Sequence, residues 1–312
     1  MEWQMNFLRW IAEWRNPVLD AFFGAITYLG DELGLIAVAL LFFWCISKRD
    51  GYYLFMVGFV GTILNQFFKL IFHIDRPWVI DPTFEPVASA KPAAGGFSFP
   101  SGHTQTSVGL FGGIARTAKK NWVRLLCLIP IICVPLSRMY LGVHTPQDVG
   151  FSILLALILV FALYPLTMWA WQKPKRMGIL LGSCALLSIL YLLFTVFFPF
   201  SPEIDPVNVA SGRENAHTMV GVLLGLCVIY FLDVRYLHFE TKAPLLGQIV
   251  KLVLGAAIVV GLKAVLKAPL NALVGEDMQH LIRYFVLVVF AGGVWPLTFP
   301  LFARIGRKKE DA

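Results

Sequence analysis

Apolar residues in this chain fall in long blocks separated by short polar stretches, at roughly 33–47, 52–72, 101–118, 122–143, 146–171, 177–198, 217–233, 248–268 and 281–303. Each block is near the ~20 residues that a helix needs to cross a bilayer, so the pattern predicts an all-α, polytopic helical membrane protein of about nine crossings. Ahead of them, residues 1–16 set Trp3, Phe7, Leu8, Trp10, Ile11 and Trp14 among Glu2, Arg9, Glu13 and Arg15. That mixture predicts an amphipathic helix lying in the membrane interface. Asn16-Pro17 breaks it, and Pro17 to Gly30 is apolar enough to enter the bilayer as a half-helix before Asp31-Glu32. No fixed-period repeat or low-complexity linker is visible. A soft boundary near Gln172 to Arg176 divides a core membrane domain, 17–172, from a C-terminal extension of four membrane helices, 173–312.

Composition agrees with the pattern. The chain is 58% hydrophobic and 14% charged, with a mean hydropathy of +0.71, too apolar for a soluble domain. The net charge of +7 raises nucleic acid as a partner, but the basic residues stand at the ends of apolar blocks, where the positive-inside rule puts them. No nucleic-acid partner is expected; the bilayer is. Lys48-Arg49, Arg116 with Lys119, Lys120 and Arg124, Lys173 with Lys175 and Arg176, Arg235 with Lys242, and Arg304 to Lys309 mark the cytoplasmic loops. This places residues 74–100, the turn near 144, 199–216 and 268–280 outside, and the C-terminal tail inside. Cys45, Cys127, Cys133, Cys184 and Cys227 lie within apolar blocks without metal-ligand spacing, as small buried hydrophobes do. The N-terminus lacks the features of a cleavable signal peptide, so the first membrane segment is expected to serve as the signal.

The polar residues that could carry chemistry gather at three block ends on the predicted outer side. The second block closes on Lys69 and, seven residues later, Arg76-Pro77, a spacing of about two helical turns that lets both cations face one pocket. Snorkelling and loop decoration would explain either cation alone. The third block opens on Pro100-Ser101-Gly102-His103. Ser101 suits an N-cap, and helix-start N–H groups beside Gly102 make a seat for an anion, with His103 beside it as a proton donor. The fourth closes on Ser137-Arg138, then His144-Thr145-Pro146-Gln147-Asp148. Thr145 to Asp148 reads as a capping box, and Asp148 is also placed to hold one ring nitrogen of His144 and leave the other free to attack. Three fixed cations beside two histidines suit a phosphate dianion. His103, His144 and Asp148 could also be metal ligands, but three neighbouring cations would repel a divalent ion, so no metal or other cofactor is expected.

Lys69-x6-Arg76-Pro77, Pro100-Ser101-Gly102-His103 and Ser137-Arg138-x5-His144-x3-Asp148 together resemble the three-part signature of the type 2 phosphatidic acid phosphatase family, which includes the vanadium haloperoxidases. The likeness covers roughly residues 17–171. It implies a metal-independent phosphatase built on that family's helical core. His144 would form a phosphohistidine, Asp148 would orient and polarise it, and His103 would protonate the leaving group and then help activate water. Lys69, Arg76, Arg138, the Ser101 side chain and the Gly102 N–H would hold the phosphoryl oxygens. The substrate would be a membrane lipid phosphate: a polyprenyl diphosphate, phosphatidic acid, phosphatidylglycerol phosphate or a sphingoid phosphate. A bacterial plasma membrane is the expected home.

Two other readings stay open: transfer of the phosphoryl group to an acceptor lipid, and a non-catalytic protein that binds or transports lipid phosphates. The four late segments could form a substrate gate, a second site or the face of a homodimer. Their outer ends carry Glu203, Asp205, Arg213, Glu214, His217, Glu276, Asp277, His280 and Arg283, with substrate contact the lesser reading for Arg213, His217, His280 and Arg283; snorkelling is the expected role of Lys263 and Lys267, and a lipid headgroup contact the alternative. His73 and Asp75 are read as loop residues.

Overall fold

The computed structural model describes residues 2–92 and 94–305; the basic residues Arg307, Lys308 and Lys309 of the tail lie outside them. Among the described residues every regular element is helical: α1 (Glu2–Ala12), α2 (Pro17–Ile26), α3 (Glu32–Leu41), α4 (Lys48–Phe72), α5 (Pro77–Ile80), α6 (Gly102–Thr117), α7 (Asn121–Tyr140), α8 (Pro146–Trp171), α9 (Pro174–Phe197), α10 (Pro206–Leu232), α11 (Leu245–Val274), α12 (Glu276–Val289) and α13 (Phe299–Phe302). Seven helical stretches are long and apolar enough to cross a membrane. They make the chain an integral membrane protein.

The nine apolar blocks map onto these helices with two differences. The block at 33–47 is the second half of a bent pair, Pro17–Gly30 and Glu32–Ile46, which meet at 53° and make an eighth span if counted as one. The block at 101–118 forms α6, only 16 residues and thus about 24 Å long, short of a ~30 Å hydrocarbon core. The loops also shrink. α10 starts at Pro206, so Arg213 and Glu214 are helical rather than in a loop; α11 runs on to Val274 and is separated from α12 only by Gly275, whose φ is +81°. Hydropathy marks the stretch of a helix that tolerates lipid, whereas backbone hydrogen bonding continues past it into polar sequence.

The chain divides into two compact units. The first comprises Met1–Ile36, Met56–Tyr164 and Pro199–Gly212. In it the expected break at Asn16 is an N-cap: the Asn16 side chain accepts from the N–H groups of Val18 and Leu19, with Pro17 at the first helical position. α1 forms as expected and buries Met5 and Leu8 against Phe84, Met139 and Val149, while Trp3 and Trp10 stay exposed. Gly30 ends the turn after α2 against the first turn of α6, where a Cβ would stand 2.6 Å from the His103 carbonyl oxygen. α4 approaches α6 through Gly61, where a Cβ would meet the Gln105 side chain at 2.8 Å.

The second unit comprises Ala37–Phe55, Pro165–Phe198 and Arg213–Ala312. Its core is aromatic. Trp44 packs against Trp295 and Phe299 and donates through Nε1 to the Ala291 carbonyl at 2.9 Å. Lys251 is fully buried beside it, donating to the carbonyls of Trp44 and Thr241 with Nζ over the Phe299 ring. This lysine is satisfied by backbone and a ring face without a carboxylate.

Candidate active site

All eight residues singled out by their chemistry, Lys69, Arg76, Ser101, Gly102, His103, Arg138, His144 and Asp148, belong to the first unit. Three chain segments position them. α4 carries Lys69 in its last turn, and its Nζ donates to the Phe97 carbonyl. Beyond α4, His73 takes a left-handed conformation (φ +47°) with its ring against Phe97, while Asp75 faces solvent. Both therefore serve the turn that brings Arg76 inward.

Arg76 is buried and fastens two loops to each other. Its Nε and Nη2 donate to the carbonyls of Gly96 and Gly95 at 3.0 and 2.7 Å, and Nη1 donates to the Val143 carbonyl at 2.9 Å. The same Nη1 lies 3.0 Å from His144 Nε2. A guanidinium only donates, so Nε2 accepts, and the ring proton is assigned to Nδ1.

His144 reaches this place through the end of α7. Gly142 adopts φ +75°, the left-handed turn that stops a helix, and the N–H groups of Val143 and His144 both donate back to the Arg138 carbonyl. A Cβ on Gly142 would also strike the Phe84 ring at 2.9 Å. α8 then starts with the predicted capping box: the Asp148 N–H donates to Thr145 Oγ1 at 3.3 Å, and Asp148 Oδ2 accepts from the Thr145 N–H at 2.8 Å.

Asp148 Oδ2 also accepts from Ser98 Oγ at 2.6 Å and lies 3.5 Å from His144 Nδ1, which makes no hydrogen bond of its own. The carboxylate is thus held by the cap and by Ser98, one step outside hydrogen-bond reach of the imidazole. Burial pushes the His144 pKa well below its ordinary value, and Arg76, Arg138, Lys69 and His103 push it further by charge repulsion. His144 is a neutral imidazole there at neutral pH.

α6 begins beside Asp148. Ser101 is its N-cap, with Oγ accepting from the Thr104 N–H at 3.4 Å, and the Ser101 N–H donates to the Asp148 carbonyl at 3.3 Å. The Ser101 hydroxyl thus accepts from the helix and keeps its own O–H to donate, and the first turn, from Gly102 on, leaves backbone N–H groups of the kind that seat anions. Arg138 is buried at the last turn of α7; its Nη1 donates to Thr27 Oγ1 at 2.9 Å and its Nε has no partner.

Sequence reading missed four contributors. Ser98 holds Asp148, Thr27 holds Arg138, and the Gly95-Gly96 carbonyls hold Arg76. Asn65 stands one turn before Lys69, 2% exposed with both amide atoms unpartnered, and its Oδ1 would be 3.9 Å from a Cβ at Gly102. A lone Asn within an apolar block was the available signal for it. Among the described residues no three His, Cys, Asp or Glu side chains are grouped so as to hold a metal ion.

Residues 51–173 match the family described as the PAP2 superfamily, and residues 217–307 match the PAP2 superfamily phosphatase, transmembrane extension. Phosphatidylglycerophosphatase B of Bacillus subtilis (strain 168) is 29% identical over 164 residues, covering 47% of this chain and 74% of its own length. An undecaprenyl-diphosphatase of the same organism is 28% identical over 160 residues, 48% of this chain and 75% of its own. A probable sphingosine-1-phosphate phosphatase of Dictyostelium discoideum is 24% identical over 252 residues, 76% of this chain and 58% of its own. No solved structure matches the chain significantly.

Proposed function

Since the chain belongs to the PAP2 superfamily and is a lipid phosphatase of that family, we propose that it hydrolyses a lipid phosphomonoester or diphosphate through a phosphohistidine on His144. The observation that carries this reading is the setting of His144: Nε2 lies 3.0 Å from Arg76 Nη1 and Nδ1 lies 3.5 Å from Asp148 Oδ2, in a buried place that favours the neutral ring. When a phosphoryl group enters, Arg76 Nη1 moves its hydrogen bond from Nε2 to a phosphoryl oxygen, and the freed lone pair attacks phosphorus. The P–O bond to the lipid breaks as the N–P bond forms, and the departing oxygen takes its proton from His103. Asp148 stabilises the positive charge on the ring, and Lys69, Arg76, Arg138 and the α6 N–H groups stabilise the equatorial oxygens. Water then gives a proton to His103 and attacks phosphorus, the N–P bond breaks, and phosphate leaves with the histidine restored.

Polyprenyl diphosphates, phosphatidic acid, phosphatidylglycerol phosphate and sphingoid phosphates remain the substrate classes; the distribution of basic loops supports an extracytoplasmic site, with a bacterial plasma membrane as the proposed home. The test is phosphate release by purified protein from each lipid, with and without chelator. His144→Ala is expected to lower turnover at least about 10³-fold on the best substrate while the protein still extracts and melts like wild type. Unchanged turnover would refute the phosphohistidine, and loss of wild-type activity with chelator would point to a metal.

A further inference from the structure

Titratable side chains meet a second time, wholly within the second unit, where α10, α11 and α12 face one another. α11 and α12 fold back on each other at Gly275, which brings Lys263 level with Tyr284: its Nζ is 5.6 Å from the Tyr284 ring centroid. The Arg283 guanidinium carbon is 5.3 Å from the same centroid, and the His280 ring stacks on it at 6.5 Å with 9° between the planes. From α10, Thr218 Oγ1 stands 3.4 Å from His280 Nδ1, and Glu214 Oε2 is 3.8 Å from His280 Nε2.

Of the acids near this cluster, Asp277 lies 3.7 Å from Arg213, outside it, while Glu214 faces His280 from within it. Among the described residues no carboxylate comes within 4 Å of Arg283 or Lys263. Arg283 is 4% exposed; its Nη2 is 3.5 Å from His280 Nδ1 and its Nε has no partner. Gln279, one turn earlier on the same buried face, also leaves its Oε1 unpartnered. Because a guanidinium keeps its proton, Arg283 carries a full charge into a buried place about 10 Å along α12 from its first residue. A buried charge without a counter-charge is costly, and an ionisable group inside a membrane helix marks a ligand pathway more often than a structural one.

We infer that Arg283 and Lys263, with His280 beside them, form a second anion site, distinct from the residues around His144, that takes a phosphate group. A carboxylate would be satisfied by the guanidinium fork alone. Phosphate has oxygens enough for the fork and the ammonium together. On α11, Val260, three residues before Lys263 on the same side of the helix, has 65% of its surface exposed, an apolar setting for acyl chains. The phosphate can come from a phospholipid headgroup or from inorganic phosphate, and the two are separable.

The experiment uses the full chain in phosphatidylcholine nanodiscs, with two probes: phosphatidylglycerol, a phosphodiester, and inorganic phosphate. Arg283→Gln, Arg283→Lys and Lys263→Gln are compared with wild type and with Lys175→Gln, an exposed cation elsewhere in the unit. Arg283→Gln and Lys263→Gln are expected to weaken binding of one probe about tenfold, Arg283→Lys less, and Lys175→Gln not at all. Loss confined to phosphatidylglycerol identifies a lipid headgroup site; loss confined to inorganic phosphate identifies a site for the free ion. If Arg283→Gln fails to fold, Lys263→Gln, at a half-buried position, carries the comparison. Wild-type affinity for both probes in Lys263→Gln and in a folded Arg283 variant overturns the inference.

Discussion

In the proposed reaction His144 attacks with the lone pair on Nε2, so protonation of the ring stops the first step. Its pKa is lowered first by burial and then by Arg76, Arg138, Lys69 and His103. The acid limb of kcat/KM that belongs to this residue is therefore expected well below the ordinary histidine value of about 6.5. Replacing Arg138 with Gln removes a positive charge, which favours the protonated ring and raises the pKa. The limb of Arg138→Gln is expected to move to higher pH, whatever happens to the maximum rate. A pH–rate profile of both proteins from about pH 4 to pH 8 checks this, and a limb that stays in place would show that Arg138 does not act on His144. At this scale the sequence singled out the eight candidate residues and the N-cap role of Ser101 at α6. Their supports, Ser98, Thr27 and the Gly95-Gly96 carbonyls, were invisible because they come from segments 50 to 111 positions distant, or from backbone that any residue would offer.

Between elements, the decisive contact is the approach of Gly30 to α6. A methyl group there would meet the His103 carbonyl at 2.6 Å and Val134 Cγ1 at 2.8 Å, and neither backbone nor a packed valine yields cheaply. Gly30→Ala is expected to push the first turn of α6, and His103 with it, out of line and to cost about ten- to hundredfold in kcat. Gly24→Ala, with nothing within 4 Å of the added carbon, is the matched control and should leave kcat unchanged. Equal rates for the two variants would mean that the α6 start is not set by Gly30. The cap at Thr145 was legible in the sequence, and Asn16 as a break, because a cap is a local bargain among four or five neighbouring residues. The extents of α10 and α11 were not, because they outrun the apolar blocks that advertise them.

For the whole molecule, basic loops predict orientation: the histidine pocket outside and the chain end after α13 inside. A reporter that fluoresces only in the cytoplasm, fused after Ala312, should be bright, and an impermeant thiol reagent should label Glu85→Cys, in the loop before α6, from outside. A dark reporter with no labelling would invert the topology and, with it, the leaflet from which substrate is taken. The division into two units places the proposed chemistry in one and the second cationic cluster in the other. The sequence by itself determined that this is a helical membrane protein and which residues are candidates for its chemistry, because hydropathy, caps and short motifs are written in neighbouring positions. Only the tertiary structure decided that Arg76 rests on His144, that Asp148 is held by Ser98, and that Arg283 is buried without an acid. Those facts depend on distances between residues far apart in the chain, and spacing along the backbone says nothing of them.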